Sequence, residues 1–285
     1  MRSSSPRPGI PWLLLFLFLF AAQAIPNILE NSPVADEPGE ITGGYFYWQG
    51  DVLSDNAHPP LSKALQALPS RFLSLNQNLD PWVRDYLART YDFFFVLNRD
   101  QFQIMLEGGR VVSLLFGLGI GVLLFWASRS FSPAGRWTVM ALWTFEPTLL
   151  AFAGLAVADS VVTFFFLAAT LAFQKHTERP GWKWATLAGA LAAMAVTCKF
   201  SALVLLPVFI ALEFLSLRSA KKKLKPKRDD WGWGALAFLG WIGLLYLPGS
   251  LSLPHPFLPW AYFQAGFWNM AGQTRAYHPT YFLGL

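Results

Sequence analysis

Two charged clusters interrupt a chain otherwise rich in Leu, Phe, Ala and Trp. The first is Asp36-Glu37, followed by Pro38-Gly39. The second holds Asp51, Asp55, Asn56, His58 and Lys63 and contains the stretch N-A-H-P-P-L-S-K at 56–63. A carboxylate held by a turn can take the proton of an incoming hydroxyl or steady developing positive charge. A lysine fixed beside it suits a phosphate, which it meets as a compact point charge. Asp159 is the third feature, with apolar runs on both sides. An acid at that depth is costly to bury and is a functional hypothesis by default. Arg110 and Lys199 each stand at the end of an apolar run and add cations able to hold an anion.

Each of these residues also has a plainer reading. Asp36 and Glu37 would be solvated loop charge together with Glu30 and Glu40. Asp159-Ser160 would cap a helix, Lys199 would snorkel to a membrane surface, and Arg110 would anchor a helix end. His58 with Asp51 or Asp55 offers one imidazole and no H-x-x-x-H spacing, so ligand spacing does not support a divalent metal site. His255 and His278 lie in surroundings too unspecific to assign.

The elements that must position these groups are membrane spans. The 285 residues are 54% hydrophobic and 14% charged, with 13 Trp and 26 Phe. Soluble domains carry about 25% charged residues. The single Cys198 leaves no partner for an intrachain disulfide and no C-x-x-C metal site. Runs near the ~20 apolar residues of a spanning helix fall at Pro11–Leu29, Val111–Ser128, Trp137–Val157, Val161–Phe173, Trp184–Val196, Ser201–Leu217 and Trp231–Leu247. The expectation is an all-α polytopic membrane protein of about seven spans. The fourth and fifth runs are short, so they either extend into their flanks or mark irregular, protein-shielded helix.

The net charge of +5 sits in short spacers between these runs. Arg2 and Arg7, then Arg129 and Arg136, then Lys175, Arg179 and Lys183, then the run from Arg218 to Arg228 occupy every second spacer. The positive-inside pattern makes these four regions cytoplasmic, with the N-terminus inside. Asp36, Lys63, Asp159, Lys199 and everything after Pro248 then face outward. The basic loop 218–230 reads as an orientation signal that touches lipid headgroups, not as a nucleic-acid site. A cleaved signal peptide ending at Ala22-Gln23-Ala24 is an alternative for the first run. It leaves 30–109 external in either case.

Segment 30–109 is the first external loop, and 249–285 is a second external segment. Pro59-Pro60 can open a helix, and Leu61, Leu65, Leu68 and Phe72 then recur on one helical face. Trp82, Tyr86 and Tyr91–Val96 suggest a second amphipathic element. Both read as helices lying apolar side down on the outer membrane surface. The chain has no Walker lysine or Gly-rich phosphate loop, no G-x-S-x-G elbow and no internal repeat of the kind carriers show. A transporter or lipid-linked-sugar flippase and a non-catalytic assembly protein stay as alternatives to an enzyme.

The stretch A-D-E-P-G-E-I, then G-Y-F-Y-W-Q-G-D-V-L-S-D-N-A-H-P-P-L-S-K-A-L-Q-A-L-P at 44–69, resembles the first external loop of the dolichyl-phosphate-mannose protein mannosyltransferases. It is similar also to the bacterial aminoarabinose transferases and other polyprenyl-phosphate-sugar enzymes. F-E-P-T-L-L-A-F-A-G-L-A-V-A-D-S-V-V-T-F-F-F-L and C-K-F-S-A-L-V-L-L-P follow in matching order. The resemblance implies one GT-C-type transmembrane domain over 1–285, with a polyprenyl-phosphate-linked sugar as donor. The acceptor would be a hydroxyl of a protein, lipid or glycan, with membrane lipids as partners and transfer usually inverting on the external face. A bacterial inner membrane is the implied location. The resemblance assigns Asp36, Glu37 and Asp159 to catalysis and Lys63, Arg110 and Lys199 to the donor phosphate, with Tyr45, His58, Pro59 and Pro60 as supporting motif residues. Relatives carry D-P-N-L-L-A-H-G where this chain has Glu146-Pro147-Thr148-Leu149-Leu150-Ala151-Phe152-Ala153, so Thr148 and Phe152 replace an asparagine and a histidine. Family members are commonly longer, and the chain reads as an N-terminal fragment of such a protein.

Overall fold

The computed structural model describes residues 9–50, 58–80, 85–218, 228–251, 263–264 and 266–268. Asp51, Asp55, Asn56, Trp82, the lysine run at 221–227, His255, His278 and most of 249–285 lie outside the described residues. Among the described residues every regular element is helical.

Helix α1 (Ile10–Glu30) starts on Pro11, which is tolerated where a first-turn N–H has no partner anyway. Leu13, Phe16, Phe20, Ala24 and Ile28 recur at three and four and form its buried stripe, while Leu14 and Phe18 face out. The segment continues into α2 (Asp36–Tyr47), α3 (Pro60–Gln66) and α4 (Tyr86–Tyr91), the last running into a π-helical turn at Asp92–Leu97. Helix α5 (Phe102–Ala127) packs against α1. A Cβ added at Gly121 would stand 2.4 Å from the Trp143 ring, so this helix approaches its neighbour where it has no side chain.

The third expected span, Trp137–Val157, is not one helix. It divides into α6 (Pro133–Phe145) and α7 (Pro147–Ala153). Pro147 has no N–H to continue the ladder and holds Glu146 extended, with ψ 114°. The Glu146 carboxylate then caps α7 by accepting from the Leu149 N–H. After a turn at 154–157 comes α8 (Ala158–Glu178), bent by 117° from α7 and longer at both ends than the Val161–Phe173 run. By length and composition, α1 and Phe102–Ser130 can each cross a membrane; the bent pair α7–α8 has the form of either a broken span, which would make a third crossing, or a re-entrant loop. Helices α9 (Trp182–Cys198), α10 (Leu205–Arg218) and α11 (Arg228–Leu251) follow.

Two apolar cores hold the long helices. One joins α1, α5, α6 and α7, with Phe20 stacked on Trp143 at 4.5 Å. The other joins α8, α9 and α10, with Phe173 stacked on Phe209 at 4.2 Å. A third cluster, including Ile41, Tyr45, Phe46, Phe93, Phe94, Met105 and Leu106, cements α2 and the π-helical turn onto the start of α5. At α3 the structure departs from the expected amphipathicity. Leu68 and Phe72 do point outward, but the inward face of α3 is polar, formed by Ser62, Lys63 and Gln66. Gln66 Nε2 donates to the Val157 carbonyl at 2.5 Å and to Ser113 Oγ at 3.4 Å, which pins α3 to the turn before α8.

Candidate active site

Asp36 and Glu37 open α2 in adjacent positions yet meet opposite environments. Acids in a first helical turn are favoured by the unsatisfied N–H groups there. Asp36 is exposed. Glu37 is fully buried, and both of its oxygens are occupied. Oε1 accepts from Arg110 Nε at 2.8 Å and from the Ala156 N–H at 2.7 Å. Oε2 accepts from Arg110 Nη2 at 2.8 Å and from the Val34 N–H at 2.9 Å.

Arg110 was expected at the donor phosphate; the structure gives it other partners. Its side chain is 0% exposed, like that of Glu37. Beyond Glu37, Nη1 donates to the Ile28 and Asn31 carbonyls at 2.9 and 2.8 Å, and Nη2 to the Ser32 carbonyl at 3.0 Å. Guanidinium has five N–H donors, and all five meet protein acceptors. This one pair therefore ties the end of α1, the start of α2, helix α5 and the turn before α8 into a single knot.

That knot frames a cavity of about 130 Å³ lined by Asp36, Glu40, His58, Thr90, Asp159 and Lys199, among others. Asp159 lies in the first turn of α8, and Lys199 is the extended residue closing α9. Lys199 Nζ and Asp159 Oδ1 are 2.9 Å apart, and the side chains are 36% and 33% exposed. The pair is held by the protein but open to the cavity. The structure thus brings Asp36, Asp159, Lys199 and His58 to one place. Lys63 is 4% exposed, sits on the inward face of α3 and is not part of that lining. Its carbonyl lies where a Gly44 Cβ would be 1.9 Å away, so α2 and α3 touch backbone to backbone there. Pro59 and Pro60 are buried and set the start of α3, and Tyr45 is buried with its hydroxyl accepting from Gln77 Nε2 at 2.8 Å.

Glu40, which the sequence presents only as loop charge, belongs to the site. It stands one helical turn after Asp36, is nearly buried and lines the same cavity. Its i,i+4 spacing from Asp36 was the available signal. Among the described residues no group of three His, Cys, Asp or Glu side chains is placed to hold a metal ion.

A chain whose regular elements are helical throughout the described residues, with apolar helices long enough to cross a membrane and a charged cavity near their ends, is an integral-membrane protein with a polar site at its surface. The family model for dolichyl-phosphate-mannose-protein mannosyltransferase matches residues 13–253, and the chain belongs to that family. It is accordingly a membrane glycosyltransferase of the GT-C type. No curated protein and no solved structure is significantly similar to it.

Proposed function

We propose that the protein transfers a sugar from a polyprenyl-phosphate donor to a hydroxyl acceptor at the external face of the membrane, with inversion at the anomeric carbon. The observation that carries this reading is the convergence of Asp36, Asp159 and Lys199 on one cavity. Asp36 is the exposed acid there. It takes the acceptor's proton as the acceptor oxygen bonds to C1 of the sugar. The C1–O bond to phosphate breaks on the opposite face, and the phosphate keeps the electron pair. Lys199 meets that charge, and Asp159 holds the ammonium in place through its 2.9 Å contact. Lys63, which the resemblance assigns to the donor, is buried outside this cavity and takes no part in the scheme.

Glu37 and Arg110 do not touch the reactants in this scheme. Their role is to fix the first turn of α2, and with it Asp36, against the turn that delivers Asp159. A protein Ser or Thr is the acceptor favoured by the family, with lipid and glycan hydroxyls as the other acceptor classes. The test is transfer from a labelled polyprenyl-phosphate sugar, in sealed vesicles of known sidedness, to a peptide, a lipid and a glycan acceptor. Transfer to peptide from the Asp36 side supports the reading. Donor movement across the vesicle without transfer to any acceptor points to a flippase instead and overturns it.

A further inference from the structure

Where α8, α9, α10 and α11 meet, the structure forms a second cavity of about 260 Å³, open on one flank. Its walls are almost entirely carbon, supplied by Phe173, Ala188, Ala192, Phe209, Trp231 and Phe238. Among the described lining residues, His176 is the one that is neither hydrocarbon nor indole. His176, in the last turn of α8, is 1% exposed and lines the cavity. Neither of its ring nitrogens has a hydrogen-bond partner among the described residues. The ring lies near-perpendicular to Trp231, with centroids 6.2 Å apart.

A neutral imidazole carries one donor and one acceptor, and leaving both dry inside apolar walls is costly. Water is a poor remedy, because a buried water needs two to four polar partners and these walls offer one side chain. The occupant that fits is mostly hydrocarbon, with an oxygen at the His176 end. Its depth separates it from the sugar donor. His176 follows Asp159 along one continuous helix by 17 residues, a rise of about 26 Å. The two sites therefore lie near opposite membrane faces. Trp182, Trp184, Trp231 and Trp233 cluster at the His176 end, the level at which indoles sit among lipid esters. Arg179 and Lys183, both exposed, add positive charge beside them. Leu206 and Leu239 line the cavity and are exposed on its outer flank, where acyl chains would surround the protein.

We propose that this cavity is a structural lipid site. An anionic phospholipid of the leaflet opposite the Asp36 cavity inserts one acyl chain past Leu206 and Leu239, between α10 and α11, because α9 and α11 touch backbone to backbone at Gly189 and Gly234; an ester oxygen accepts a hydrogen bond from His176. The site is independent of the transfer reaction.

The test uses the full chain in phosphatidylcholine nanodiscs doped with phosphatidylglycerol that carries a diazirine at one acyl terminus. After photolysis, adducts are mapped by peptide mass spectrometry. Adducts on α9 and α11 around Ala192 and Phe238 are expected, above the background at outward-facing Leu236. His176→Phe should lower cavity labelling about fivefold, the share one neutral hydrogen bond supplies. Ala188→Leu, which fills the cavity, should lower it further while labelling at Leu236 persists. A phosphatidylcholine probe and a polyprenyl-phosphate probe with the same diazirine should each label the cavity less than the phosphatidylglycerol probe. Labelling no higher than at Leu236, labelling unchanged in both variants, or preferential labelling by either other probe overturns the proposal.

Discussion

Replacing Glu37 with Gln removes one charge and almost no volume, yet the structure predicts a large loss of stability. Each carboxylate oxygen of Glu37 accepts two N–H bonds, one from Arg110 and one from backbone. An amide has only one acceptor oxygen. In either orientation its NH₂ would face two donors, Arg110 Nη2 with the Val34 N–H or Arg110 Nε with the Ala156 N–H. The guanidinium would also lose its counter-charge while fully buried. Breaking a buried pair in this way costs about 3–5 kcal/mol. For a chain of this size that corresponds to a fall in Tm of roughly 6–20 °C. Arg110→Met should cost a similar amount, because it strands the Glu37 carboxylate. The double variant Glu37→Met/Arg110→Met should lose clearly less than the two single losses combined, since neither charge is then buried alone. The assay is thermal unfolding of detergent-solubilised protein, followed by tryptophan fluorescence. A Glu37→Gln melt indistinguishable from wild type, or strictly additive single and double variants, would refute the idea that this pair holds the site together.

Three further outcomes follow from the same geometry. Asp159→Asn and Lys199→Gln should each change Tm little, because a pair exposed by about a third contributes no more than ~1 kcal/mol; both should nevertheless slow transfer, seen by comparing melts with initial rates. Gly44→Ala should destabilise by about 1–3 kcal/mol, because its Cβ would meet the Lys63 carbonyl at 1.9 Å and backbone cannot rotate away; a melt equal to wild type would contradict that close approach. Burial pushes the Tyr47 phenol up to about 12, and its hydroxyl donates to the Leu245 carbonyl at 2.6 Å. An unfolded tyrosine titrates near 10, so the raised folded value gives a contribution that is complete below about pH 10 and lost as pH rises through about 12. Tyr47→Phe should flatten the alkaline arm of a stability–pH profile.

Much of the architecture was legible because apolar run length is a strong signal. The runs behind α1 and α5 emerged as membrane-length helices. Asp36, Asp159 and Lys199 were assigned to one side from the alternation of basic spacers, and they line one cavity. The break at Glu146-Pro147 was hidden because hydropathy sums over a window and is blind to a missing N–H; the X-Pro rule carried the information and was outweighed by the continuous apolar stretch. At α3 the expected apolar face holds only Leu61 and Leu65, because the helix ends at Gln66 and Leu68 and Phe72 fall in the turn and 3₁₀ segment beyond it; the opposite, polar face turns inward onto Ser113 and Val157. That choice depends on Gly44, which lets α2 approach the α3 backbone. The Glu37–Arg110 pair was invisible for a different reason. The two residues lie 73 positions apart, and nothing local in the chain links them. Local sequence leaves Glu37 as a loop acid and Arg110 as either an anion ligand or a helix-end anchor, and the resemblance alone assigns them to catalysis and to the donor phosphate.

The central claim is that Asp36 removes the acceptor's proton at the cavity it shares with Asp159 and Lys199. Single-turnover transfer from a saturating, labelled polyprenyl-phosphate sugar by Asp36→Asn tests it most directly, with donor affinity measured in parallel. The account predicts a rate lower by about 10²–10⁴ with donor affinity and melting temperature unchanged. A rate within a few-fold of wild type would contradict it.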